Sequence, residues 1–237
     1  SWNYSWGPAL VDEQPDNVEF IPMIWGAWGE EGLKRRIDDD ILPLYKEGRI
    51  HRLLAFNEPD VRGQSNLSVE QVIQYWSVLQ QPGIPLASPS VGTALGPWMI
   101  DFMQRVDSSN NDYDDDGGGG GGDESLRVDY VAIHWYKGPN AEAFKRDMKE
   151  AYIKYGRRPI LVTEFAPADW TATTPKDNRH SPQKVLAFAK AVLPWLERQT
   201  FIEGYAWFPF NISSGPGTSS AIFDGDATET LTPLGAY

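Results

Sequence analysis

The chain has 237 residues, a formal charge of −12 at neutral pH and no cysteine. That length supports one full-sized domain spanning 1–237; the acidic balance opposes nucleic acid and anionic lipid partners; and the lack of cysteine excludes disulfides and thiolate chemistry. No apolar run reaches the roughly 20 residues that cross a bilayer, and Ser1 opens straight into a strand-like segment, so no membrane partner and no signal peptide are expected within the sequence.

In chain order, strands are predicted at Trp2–Trp6, Glu19–Trp25 and Arg52–Asn57. Ser68 and Gln71 then make a capping box for a helix whose apolar face runs through Val72, Ile73, Tyr75, Trp76 and Leu79. A strand at Pro85–Pro89 and a helical pattern over Trp98–Val106 follow. Residues 107–125 combine an acidic run with six consecutive glycines, too little apolar surface to offset ordering, so a flexible solvated loop is expected there on the face opposite the strand ends. Its aspartates lack the spacing of a calcium loop. Next come a strand at Val128–Tyr136, a helix capped by Asn140 and ended near Gly156, and a strand at Pro159–Phe165. Ser181-Pro182 starts a helix that Pro194 should kink, Ile202–Phe208 reads as a strand, and Thr232-Pro233 marks a short last helix. Near-continuous apolar runs such as Ile160-Leu161-Val162 suit strands buried on both faces. Their alternation with helices indicates an α/β chain of repeated βα units around a parallel sheet.

Two of these runs end in an acid: Glu58 after Leu53–Asn57, and Glu164 within Ile160–Ala166. An ionised carboxylate costs several kcal/mol to bury unless paired. The structural readings are a helix-start carboxylate for Glu58 and a buried ion pair for Glu164. The functional reading is that both project into one mouth at the strand C-termini, as the acid and the nucleophile or base of glycoside cleavage. Ten Trp, ten Tyr and ten Phe support it, since indole faces suit the apolar faces of pyranoses as well as ordinary core packing.

The segments Ser1–Gly7, Phe20–Gly26, Phe56–Asp60, Ser88–Ser90, Ala132–Tyr136, Val162–Ala166, Tyr205–Phe208 and Leu231–Gly235 resemble glycoside hydrolase family 128, clan A enzymes that act on β-1,3-glucan. Asn57-Glu58-Pro59 recurs across clan A; its combination with Pro22-Met23-Ile24-Trp25-Gly26, His134-Trp135-Tyr136 and Thr163-Glu164-Phe165 is far more specific. The resemblance implies a retaining two-step mechanism with Glu58 as acid/base and Glu164 as nucleophile. It also implies that Asn57 reaches the sugar 2-hydroxyl, that His134 and Tyr136 lie near the nucleophile, and that Trp25, Trp135 and Trp207 form sugar-facing walls. For His134, Trp25 and Trp135 the alternative is a place in the core.

The expected partner is a β-glucan oligosaccharide or polysaccharide, acted on by a secreted or wall-associated monomer without cofactor or metal, since His51, His134 and His180 show no ligand spacing. Of the sequons at Asn3, Asn66 and Asn211, only Asn66 sits in a loop suited to a glycan. A non-catalytic glucan-binding barrel and an acidic interaction protein are the competing readings; the second leaves the strand-end acids unexplained. Finally, the glutamates end the third and sixth predicted strands, whereas clan A places them on the fourth and seventh. The resemblance therefore implies an α/β, TIM (β/α)8-type barrel lacking its first strand in this chain, the alternative being that a loop segment such as Ala221–Phe223 closes the gap.

Overall fold

The computed structural model describes residues 1–111, 125–225 and 230–237. Most of the expected acidic glycine loop, residues 112–124, lies outside the described residues.

Among the described residues five strands are formed: β1 (Trp2–Asn3), β2 (Glu19–Phe20), β3 (Val131–Trp135), β4 (Ile160–Phe165) and β5 (Ile202–Trp207). Between β2 and β3, the 53–57 and 86–91 segments join through isolated parallel bridges, Met23 to Leu54, Leu53 to Leu86, Asn57 to Ser90, Ala87 to Tyr130 and Val91 to Ile133. Pro22, Pro85 and Pro89 supply no N–H, which breaks these ladders into short contacts. All seven predicted strand segments therefore run parallel to their neighbours in chain order, although several are shorter than expected.

Alternation along the strands sorts side chains onto two faces. Val131, Ile133, Ile160 and Val162 pack on the helix layer with Phe144, Phe188 and Val192. The other face carries a small cluster of Ile21, Met23, Leu54, Ala87, Ala132 and Leu161, with Trp2, Tyr4, Trp25 and Tyr130 against it. No ladder joins β1 to β5 among the described residues. Side chains meet there instead: Trp2 lies so close over Gly204 that an added Cβ would come within 2.3 Å of its Nε1. Arg52 reaches both Glu19 on β2 at 3.1 Å and Glu203 on β5 at 2.8 Å.

The helices are α1 (Glu30–Arg36), α2 (Leu42–Lys46), α3 (Val69–Gln80), α4 (Pro97–Asn111), α5 (Ala141–Lys154) and α6 (Pro182–Leu196). The Ser68–Gln71 capping box starts α3, and Asn140 and Ser181 cap α5 and α6 through Ala143 N and Lys184 N. Pro194 lies inside α6. Gly156, at φ 74°, ends α5 in the left-handed conformation. A π-helical turn, Ile37–Ile41, separates α1 from α2; Pro43 cannot donate and its ring crowds the Asp39 carbonyl, and the wider turn relieves that clash.

Three expectations are corrected. Helix α4 continues through Asp107, which pairs with Arg158 at 2.9 Å, so the loop does not begin at 107. Thr232-Pro233 forms a single turn closed by Ala236 N on the Thr232 carbonyl, too few residues to propagate a helix. Phe223 bridges Leu231 in antiparallel fashion, and its segment adds no rung to the parallel sheet among the described residues.

Candidate active site

Glu58 follows the last bridge of the 53–57 segment. Its amide donates to Ser90 O at 2.7 Å and its carbonyl accepts from Val61 N, which turns the chain sharply. The backbone there is left-handed, φ 41°, costing a non-glycine residue on the order of 1–2 kcal/mol. Strain of this kind persists where the surroundings over-determine it. Asp60 supplies part of that constraint by accepting from Gly92 N at 2.9 Å and Thr93 N at 3.0 Å.

Glu164 sits in β4 opposite His134, where a register irregularity between Ile133 and His134 interrupts strict alternation. Leu161 faces the small inner cluster, and the irregularity turns Glu164 to that side as well. Both its oxygens are occupied by donors: Oε1 accepts from Tyr4 Oη at 2.9 Å and Trp6 Nε1 at 2.6 Å, and Oε2 from Tyr136 Oη at 2.5 Å. His134 Nδ1 lies 2.9 Å from Glu58 Oε1 and 3.5 Å from Glu164 Oε2, so one imidazole nitrogen faces both acids. Its Nε2 is buried without a partner among the described residues.

The two acids open into a cleft of about 560 Å³. Trp6, Trp25, Trp170, Phe208 and Phe210 line it, Trp6 packing edge-on against Phe208 at 6.1 Å between ring centroids, with Asn57, Gln64 and Tyr136 among the polar groups. Asn57 donates to Gln64 Oε1 at 3.3 Å, while its own Oδ1 is buried and unpartnered among the described residues.

The structure thus brings Glu58, Glu164, Asn57, His134, Tyr136 and Trp25 together. It does not bring Trp135 or Trp207. Trp135 is 1% exposed, stacks on Phe188 and donates to Asp147; Trp207 donates to Ser220 O and packs on Phe165. Both belong to the helix-facing cluster, because neighbours in an extended chain point oppositely and His134 and Phe208, next to Trp135 and Trp207, take the cleft side. Tyr4, Trp6, Trp170, Phe208 and Phe210 were missed. The period-two aromatic stripe Trp2, Tyr4, Trp6 was the signal for the first two; nothing local marks the others.

Glu58, His134 and Glu164 also place one ligand atom each within 4.8 Å of one another, a spacing a divalent cation could use. The donor set argues for another role, because Tyr4, Trp6 and Tyr136 direct hydrogens at both oxygens of Glu164, where a cation would need bare lone pairs.

Burial first, and then the charge of Glu164, push the hydroxyls of Tyr4 and Tyr136 far above the usual tyrosine range. The unfolded chain releases these protons near pH 10 while the folded protein keeps them. Stability from this source is therefore complete below about pH 10 and declines as pH rises further. Tyr4→Phe should flatten that decline, read from denaturant midpoints between about pH 9 and 11; parallel decline in variant and wild type would refute the coupling. Each Phe variant also removes a hydrogen bond to a charged acceptor, worth about 1.5–3 kcal/mol, and kcat should fall roughly 10- to 150-fold.

Gly92 borders the cleft. A Cβ there would stand 2.9 Å from Val61 Cγ2 and 3.5 Å from Glu58 Oε1. Gly92→Ala should push the Glu58 loop outward and lower kcat/KM by up to about 100-fold, the cost of sub-ångström to ångström misplacement. Steady-state kinetics checks this, and an unaltered kcat/KM would show that Val61 yields instead.

Residues 1–237 match the family described as glycosyl hydrolase catalytic core. A subgroup I GH128 endo-β-1,3-glucanase from Amycolatopsis mediterranei, solved with laminaritriose, is 30% identical with a TM-score of 0.73, over 99% of this chain and 88% of that one. The chain belongs to glycoside hydrolase family 128. A mutant of that family 128 enzyme in complex with laminarihexaose superposes with a TM-score of 0.76 at 29% identity, over 99% and 88% of the two chains. A second family 128 member, a curdlan-specific exo-β-1,3-glucanase from Blastomyces gilchristii bound to glucose, is 27% identical with a TM-score of 0.71, over 100% of this chain and 87% of that one. No curated protein matches the chain.

Proposed function

We propose that this family 128 hydrolase cleaves β-1,3-glucan with retention, Glu164 acting as nucleophile and Glu58 as acid/base. One observation carries the mechanism: a carboxylate oxygen of Glu58 lies within 4.8 Å of one of Glu164. Retaining enzymes hold their carboxyl groups about 5–5.5 Å apart, and inverting enzymes leave about 6.5–9.5 Å for a water. The substrate class rests on the relatives, which bind laminari-oligosaccharides, and on an aromatic cleft suited to a neutral sugar.

In the first step Glu164 attacks the anomeric carbon while Glu58 gives its proton to the departing glycosidic oxygen. In the second, Glu58 takes a proton from water, the water oxygen attacks the same carbon, and the bond to Glu164 breaks. Tyr4, Trp6 and Tyr136 orient the nucleophile throughout. The bare Oδ1 of Asn57 is the acceptor that a sugar hydroxyl in the cleft would satisfy.

This reading places the chain in a (β/α)8-type barrel in which the Trp2 and Arg52 contacts span the junction between β1 and β5. It also favours a secreted protein, since polymeric glucan lies outside the cell. Incubation with laminarin-type glucan and sizing of the products tests it: release of oligomers or glucose is expected, and release of neither, with glucan still bound, would favour a binding protein on the same scaffold.

A further inference from the structure

Trp28 stands three residues beyond Trp25 on the connection from β2 to α1, yet 65% of its surface is open. Trp170, at 62%, is comparably exposed, and it lines the catalytic cleft. Trp28 is not simply an isolated surface ring. It forms one wall of a separate groove of about 360 Å³ whose other residues are Gly32, Arg35, Arg36, Asp39 and Asp40.

The groove is built from both sides. Arg36 places its guanidinium 5.9 Å from the Trp28 ring centroid and pairs with Asp40 at 3.0 Å, contacts that restrict the indole and the guanidinium together. The π-helical turn keeps Ile37 and Ile41 buried while Asp39 and Asp40 line the groove. At Gly32 an added Cβ would meet only Trp28 Cβ, at 3.6 Å, so the absence of a side chain leaves the floor open.

A flat apolar face beside guanidinium donors and carboxylate acceptors matches the surface of a pyranose, whose C–H face is apolar and whose hydroxyls both donate and accept. The mixed charge disfavours a strongly ionic ligand, and the polar wall disfavours an apolar one. Three extended residues span at most about 10–11 Å, so a saccharide leaving the cleft past Trp25 comes within reach of Trp28.

We propose that the Trp28 groove is a distal saccharide subsite that holds a part of the β-1,3-glucan chain remote from the scissile bond. The ligand rests on the function proposed above. The test compares kcat/KM for β-1,3-linked glucose oligomers of three and six units in wild type, Trp28→Ala and Gly32→Leu, the last of which fills the groove while keeping the indole. In both variants the hexamer-to-trimer ratio should fall roughly three- to tenfold, the worth of one aromatic contact. A general folding defect lowers both rates together and leaves the ratio in place, so an unaltered ratio in both variants overturns the subsite. A wild-type protein that hydrolyses neither oligomer overturns the hydrolase reading itself, and the assigned ligand with it.

Discussion

Glu164→Gln is expected to lower kcat on β-1,3-glucan by on the order of 10⁴-fold, about 5.4 kcal/mol of transition-state stabilisation, because the neutral amide cannot form the glycosyl-enzyme bond. The fold should tolerate the change. With the amide nitrogen on the side of Tyr136, that hydroxyl can rotate to accept from it, while the oxygen keeps its bonds from Tyr4 and Trp6. Glucan binding should therefore survive, as seen by retardation in a glucan-containing gel, while turnover disappears. A variant turning over within tenfold of wild type would remove Glu164 from the nucleophile role. Loss of binding alongside turnover, with an intact thermal transition, would instead make Glu164 a substrate-binding group.

Removing the acid/base gives a different pattern. Glu58→Ala should lose about 10²–10⁴-fold on glucan, where the departing sugar hydroxyl needs a proton. It should lose far less in the first step on an aryl β-glucoside with an acidic phenol, which leaves unaided. The second step then lacks its base and the glycosyl-enzyme accumulates as a burst. Azide, which needs no deprotonation, should restore turnover and yield the β-glycosyl azide. An α-azide would mean a single displacement and an inverting enzyme. No rescue at all would place the acid/base elsewhere, with His134, 2.9 Å from Glu58, as the group to examine next.

The sequence by itself carried the parallel α/β plan, the helix starts and the two acids. Each depends on local or periodic chemistry: apolar runs bounded by proline, the Ser68–Gln71 box, the Asn140 and Ser181 caps, and carboxylates that an apolar run would not retain without reason. Trp25, His134 and Tyr136 were legible as strand-end residues. Trp135 was misjudged although the information was present, since His134 and Tyr136 on one face put Trp135 on the other. Alternation fails, however, wherever a ladder shifts, as it does beside Ile133 and His134, and no local pattern announces such an irregularity.

What only the tertiary structure decided follows from contacts between residues far apart in the chain. Tyr4 and Trp6 reach Glu164 across 160 and 158 positions, and Asp60 holds the chain at Gly92 across 32. Trp170 and Phe210 converge on Tyr136 only after the loops beyond β4 and β5 fold back. Sequence periodicity reports which side of an element is apolar, because burial acts on each residue locally. The catalytic geometry is set by which elements meet and in what register, and that is a property of the packed whole.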